Sequence, residues 1–329
     1  MSTNDTFIPT YETCKEVSDE CPVEFTVYGT DLSKPAATFF GIAFGVFLVL
    51  QLYFGIRART WSFIVWLGIG TVFEVLGYWA RTKLAGNPWD IDAFTQQYLT
   101  LLLAPTLVAA AISVTFKHLV IWYGAQWSVL RPSLYPWVFV GTDFLSIFIQ
   151  VAGGAITAAN ASGSGGGESM AKTGERLVVG GVAFQVANMF CCGLLMLVYI
   201  ARRRSGLARG DPLREDAHLI NSEGRPLSRA SATEEEAGRV RKFVYALVVA
   251  YIAILVRCCY RIAENIPAVS LDILRNEPLF LGLDGAMIMI AVGAVSVFHP
   301  FIFFPFLRES KHMKKRSKQH GDYRMQDMS

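Results

Sequence analysis

The chain has 329 residues, 53% of them hydrophobic and only 17% charged, with a formal net charge of +3. A soluble domain averages roughly 45–50% apolar and about 25% charged. The polar tracts run to about 40 residues at most, too short for a separate folded domain. The balance excludes a soluble enzyme and a transporter carrying its own nucleotide-hydrolysing domain, and the small net charge argues for no nucleic-acid partner.

The apolar residues gather in runs of about 20, the length that crosses a bilayer core. In chain order these runs are 36–56, 61–80, 96–123, 134–159, 177–200, 243–263 and 279–307. The expected fold is an all-α integral membrane protein, with seven transmembrane helices in one bundle over 36–307. Residues 1–35 form a polar, acidic tail without the basic start and apolar stretch of a signal peptide. Residues 202–241, rich in Arg, Glu, Ser and Gly, read as a disordered cytosolic loop, and 308–329 as a basic cytosolic tail.

Basic residues in the loops set orientation. Lys15, Lys34, Arg81, Lys83, Lys172, Arg176 and Arg275 fall on one side. The other side holds Arg57, Arg59, Lys117, Arg131, the arginines of 202–241 and the cluster Lys311, Lys314, Lys315, Arg316 and Lys318, which reads as a topology signal. This imbalance predicts an N-terminus outside and a C-terminus in the cytosol. Asn4 and Asn160 head Asn-x-Ser/Thr triplets on the outer side and are candidate glycosylation sites. Cys14 and Cys21, on the same oxidising side, are a candidate disulfide. Cys191, Cys192, Cys258 and Cys259 read as small packing residues. Ser228 and Ser231 follow arginines and are candidate phosphorylation sites. The glycines of 163–167 lack the Gly-Lys-Ser/Thr of a phosphate loop and read as a connector.

Ionisable residues inside the runs carry the functional signal, because each costs about 2.5–3.5 kcal/mol on insertion scales. Glu74, Gly77, Tyr78 and Arg81 stand at i, i+3, i+4 and i+7, one face of a helix. Arg257, Tyr260, Arg261 and Glu264 repeat that spacing. Asp143, Ser146 and Gln150 share a face, Gln185 and Asn188 are three apart, and Asp284 opens the last run while His299 closes it. Four acids (Glu74, Asp143, Glu264, Asp284) against three arginines (Arg81, Arg257, Arg261) imply an ion-paired cavity towards the outer side. Asp143 is expected below the midplane and Asn188 near it. The rival reading is that these pairs only fix helix packing.

No catalytic set emerges. His118 and His299 fall short of the three protein ligands a catalytic zinc needs, and no Gly-x-Ser-x-Gly occurs. Neither enzyme activity nor a metal or cofactor is expected.

Taken in order, the motifs are Glu74-Val-Leu-Gly-Tyr-Trp-Ala-Arg81, Ala104-Pro105 followed by Ala109 to Ala111, Asp143-x-x-Ser146-x-x-x-Gln150-x-x-Gly153-Gly154, Gly181-x-x-x-Gln185, Arg257-Cys-Cys-Tyr260-Arg261-Ile-Ala-Glu264, then Glu277, Asp284 and His299-Pro300. This series resembles the fungal lipid-translocating exporter family, the RTA-like proteins. The resemblance implies a seven-span protein that moves or releases lipid-like molecules: sphingoid long-chain bases, toxic sterol-like compounds, and for some members porphyrin or haem. It also implies a plasma-membrane location, with amphiphilic lipids and membrane lipids as partners. A sphingoid base has a cationic amine and hydroxyls on a long tail. Glu74, Asp284 and Glu264 suit the amine, and the tyrosines and Gln185 suit the hydroxyls. Tyr28-Gly29-Thr30 replaces the family's Tyr-Gly-Tyr, and Pro267 and Ala268 stand where the family has a glycine. The alternative function is a seven-span lipid sensor signalling through 202–241. Against it, no Asp/Glu-Arg-Tyr triplet ends the third run and no Asn-Pro-x-x-Tyr lies in the seventh. Oligomeric state is not written in the sequence.

Overall fold

The computed structural model describes residues 9, 11, 13–58, 61–131, 134–161, 167–209, 234–266, 273 and 275–298. Among these residues the regular structure is helical, and the β pairing is one isolated bridge between Ser18 and Cys21. The long elements are α1 (Lys34–Ala58), α2 (Trp61–Leu84), α3 (Ile91–Tyr123), α4 (Leu134–Ala161), α5 (Glu168–Ala208), α6 (Glu234–Asn265) and α7 (Glu277–Val297). Short 3-10 turns stand at Val23–Phe25 and Ala125–Trp127. Six of the seven helices are long and apolar enough to cross a membrane. The other, α2, carries Glu74, Arg81 and Lys83.

Helix starts follow the local sequence. Ser33 Oγ accepts from the Ala36 N–H at the start of α1, whose second residue is Pro35. Asp90 caps α3 by accepting from the Ala93 N–H, 3.0 Å. Asn276 caps α7, with Pro278 in its first turn.

Neighbouring helices approach through glycines, as lipid-embedded bundles do where side chains would hold backbones apart. A Cβ on Gly153 of α4 would stand 2.7 Å from the Gly174 carbonyl of α5, and one on Gly181 would stand 3.0 Å from the Ser146 carbonyl. Gly77 of α2 sits equally close to Leu101 and Thr100 of α3. These pairings make α2/α3 and α4/α5 antiparallel. By contrast, Gly285 lies against Phe40, Gly293 against Phe47, and Ser296 accepts from Gln51 at 2.8 Å. So α1 and α7 run in the same direction, and the start of α1 and the end of α7 lie at opposite ends of the bundle.

Apolar side chains cover the outside, among them Phe39, Ile42, Val46 and Val49 of α1 and Leu194 and Leu197 of α5. The most enclosed helix is α3, with 78% of its apolar stretch buried.

The expected loop 202–241 is corrected at both ends. α5 is helical to Ala208 and α6 from Glu234, so helix replaces the margins of the predicted disorder. The acidic start of α6 suits the positive end of a helix dipole. At 41 residues, α5 is about 60 Å long, twice a bilayer core. Asn160, expected in a loop, stands in the last turn of α4. Asn4, Ser228, Ser231, Pro267, Ala268, His299 and the tail from 308 lie outside the described residues.

Candidate functional site

The expected site residues fall into two groups on either side of α3. The first joins α2, α6 and α7. Its centre is Asp284, fully buried, whose carboxylate meets Arg257 Nη2 at 3.1 Å and Arg261 Nε at 3.2 Å. Arg261 also pairs with Glu264 one turn on, 3.0 Å. Asp284 lies in a π-helical stretch, Leu281–Ala286, whose extra residue per turn interrupts α7 at the cluster. Gly285 beside it leaves room for the Tyr78 hydroxyl, which a Cβ would strike.

Arg257 has a second task. Pro105 lacks an N–H, so the Leu101 carbonyl one turn earlier in α3 loses its helical partner. Arg257 Nη2 donates to that carbonyl at 2.7 Å. A break in α3 is thus sealed by the same guanidinium that holds Asp284.

Glu74 and two tyrosines are left over. Glu74 and Tyr78 are completely buried, and neither oxygen of Glu74 nor the hydroxyl of Tyr78 or Tyr260 has a hydrogen-bond partner. A buried polar group without a partner is costly. The other acids of this group each have an arginine; Glu74 has none, although Arg257 and Arg261 are close enough to act on it electrostatically. Among the described residues, Glu74 is therefore the acid of this group held in no ion pair.

The second group joins α4, α5 and α3. Asn188 donates to the Asp143 carboxylate at 2.7 Å and to the Phe139 carbonyl at 3.2 Å. Gln150 donates to Gln185 at 3.2 Å, and Gln185 to Thr106 of α3 at 3.1 Å. Among the described residues no ion pair or hydrogen bond links the two groups. α3 stands between them, offering the Leu101 carbonyl to one and the Thr106 hydroxyl to the other.

The first group is closed over by the N-terminal segment. Arg81 pairs with Glu277 at 2.9 Å and lies over the rings of Phe280 and Tyr28, 4.4 and 5.6 Å from their centroids. Gln97 donates to the Tyr28 hydroxyl at 3.0 Å. Burial is the main influence on that phenol and pushes it up to about 12, against the opposing pull of Arg81. Cys14 and Cys21 are joined by a disulfide, with Cα atoms 5.8 Å apart.

Residues 67–306 match the family model described as RTA1 like protein. The chain belongs to the RTA1-like family. This RTA1-like chain is 27% identical to the sphingoid long-chain base transporter RSB1 of Saccharomyces cerevisiae, over 80% of its own length and 70% of the relative's. It is 31% identical to protoporphyrin uptake protein 1 of the same yeast over 36% of each chain, and 30% identical to protein RTM1 over 39% of each. No solved structure matches. Its apolar helices and its transporter relatives mark it as a multi-pass membrane protein.

Sequence reasoning missed several residues of these two groups in the RTA1-like chain. Glu277 was absent from the expected binding residues yet holds Arg81 and accepts from the Ser33 N–H with both oxygens, 3.0 and 2.9 Å. Its place in a capped Asn-Glu-Pro helix start was a usable signal. Tyr28 was marked only by the resemblance, and Gln97 and Thr106 gave no signal, since nothing in their spacing ties them to the charged runs.

Proposed function

We propose that this protein translocates long-chain amphiphilic amines, sphingoid bases in the first place, and that Glu74 receives the amine. The likeness to the RSB1 transporter favours the substrate class. The observation that carries the site is Glu74: a fully buried acid whose two oxygens have no partner, beside arginines already held by other acids. An ammonium group supplies N–H donors and one positive charge, which is what Glu74, Tyr78 and Tyr260 lack. The second group, Gln150 and Gln185 with Asp143 and Asn188, offers hydrogen bonds to hydroxyls further along.

In this reading α2 is the seventh span. Its 24 residues reach about 36 Å, and Glu74 and Arg81 are buried within the bundle. The N-terminal segment lies outside and the C-terminus in the cytosol, favoured by the basic loops and by a disulfide suited to an oxidising compartment. The plasma membrane is the expected location.

The test is reconstitution in liposomes with labelled phytosphingosine. The parent protein is expected to speed transbilayer movement, and Glu74→Gln to slow it at least tenfold while still eluting as a folded species. Equal rates for both would remove Glu74 from the mechanism.

A further inference from the structure

Outside the two groups, the N-terminal segment is the part of the molecule with the most unexplained organisation. It is polar and precedes the first helix, yet it is folded onto the bundle end where the charged cluster lies. The disulfide ring of Cys14 and Cys21 is seated on the α2–α3 connection: Trp89 Nε1 donates to the Cys21 carbonyl at 3.0 Å, and Asn87 donates to the Lys15 carbonyl at 2.8 Å. Tyr11 packs its ring on Trp89 and accepts from the Val27 N–H at 3.0 Å. Gly29, at φ +62°, turns the chain where the Arg275 side chain leaves no space for a Cβ. The segment ends with the Ser33 N–H on the Glu277 carboxylate.

Between these anchors, Tyr28 is inserted over Arg81. The cluster beneath it is sealed: Glu74, Tyr78 and Asp284 have no exposed surface and Arg81 almost none. The seal is made of single hydrogen bonds and two small apolar patches, around Leu32 and Leu84 and around Trp89. Segments with few buried apolar contacts open at lower free energy than the core they cover.

We infer that Tyr11 and residues 13–33 belong to a disulfide-closed lid on the charged cluster, with Tyr28 as the stopper and Trp89 as the latch, and that it lifts for a ligand to enter or leave. The inference rests on reading the cluster as the ligand site. The lid is coupled to that site, because Arg81 and Glu277 hold both. A ligand that draws Arg81 or Glu277 away releases Tyr28 and Ser33 together.

The experiment measures access directly, without transport. Tyr260→Cys is introduced into the full chain with Cys191, Cys192, Cys258 and Cys259 replaced by alanine, leaving the disulfide intact. A small cationic methanethiosulfonate then reports access to the cluster. Slow labelling is expected with the lid in place, and at least tenfold faster labelling after Tyr28→Ala or, independently, Trp89→Ala. Unchanged labelling in both folded variants would overturn the lid. In liposomes, joining Lys15→Cys to Asn87→Cys with a short bifunctional thiol reagent should cut phytosphingosine movement at least tenfold, and a long flexible one should not. Movement that persists under the short cross-link would likewise overturn the lid. If the unmodified protein moves no sphingoid base at all, the proposed function fails, and the labelling result still decides the lid.

Discussion

Replacing Asp284 by Asn tests the central electrostatic arrangement. The change keeps the side-chain shape and removes the charge that faces Arg257 at 3.1 Å and Arg261 at 3.2 Å. Removing one partner of a buried pair costs about 3–5 kcal/mol, because a charge is left uncompensated. Here both arginines keep one contact, Arg257 to the Leu101 carbonyl and Arg261 to Glu264. The cost therefore falls at the lower end, about 3 kcal/mol. For a chain of 329 residues, whose unfolding entropy is about 0.7 kcal/mol/K, that lowers the melting temperature by about 4 °C. The assay is thermal unfolding of the detergent-purified protein, followed by tryptophan fluorescence and by recovery on size exclusion. Adding Arg257→Met to Asp284→Asn should cost at least about 1 kcal/mol less than the two separate losses, since the second change removes the charge stranded by the first. A melting temperature within about 2 °C of the parent, or strict additivity in the pair, would refute the claim that Asp284 neutralises the two arginines.

Two other outcomes are expected. Gly153→Leu should destabilise by about 1–3 kcal/mol through overpacking, since even a Cβ would press on the Gly174 carbonyl and on Leu177, whereas Gly154→Leu, facing open space, should be silent in the same melt. Tyr28 supplies a pH signature. Its phenol is raised in the folded state from 10.0 to about 12, so the folded protein holds the proton that the unfolded chain releases. Stability is full below pH 10 and falls as pH rises through 12, by about 3 kcal/mol at most. Melts of the parent and Tyr28→Phe between pH 9 and about 12 should converge on the alkaline side only if this group is responsible; parallel curves would count against it.

Much of the charged cluster was legible because helical period is local. Glu74, Tyr78 and Arg81 share a face by spacing alone, and so do Arg257, Arg261 and Glu264. Position within a run gives height in the bundle, and height placed all of these near one end. It gives no azimuth. That is why Asp143, Gln150, Gln185 and Asn188 read as one set with the arginines, when α3 stands between the two groups. Long-range pairs were also out of reach. Arg81 and Glu277 are 196 residues apart, and only the assembled bundle brings them together. Pro105 could be seen in the sequence, but the carbonyl it orphans and the arginine that answers it lie on different helices. The margins of 202–241 were misjudged because polar composition was read as disorder, whereas a helix rooted in a bundle can continue past the apolar region.

Oily side chains cover the outside of this bundle as well as filling its core, and the charged groups sit inside among them. Lipid tails hold apolar faces as readily as a neighbouring helix does, so burying more of them fastens little. The directional contacts between α2, α6 and α7 are instead the handful made by Asp284, Glu277 and three arginines. Drawing Asp284 or Glu277 away from its arginine would remove an ion pair that joins two helices. Glu74 is different: it is held in no ion pair, so engaging it would break none. On the reading proposed above, holding a molecule and letting it go are separate acts of the same few side chains: the idle acid takes the molecule, and drawing in an engaged one loosens the bundle.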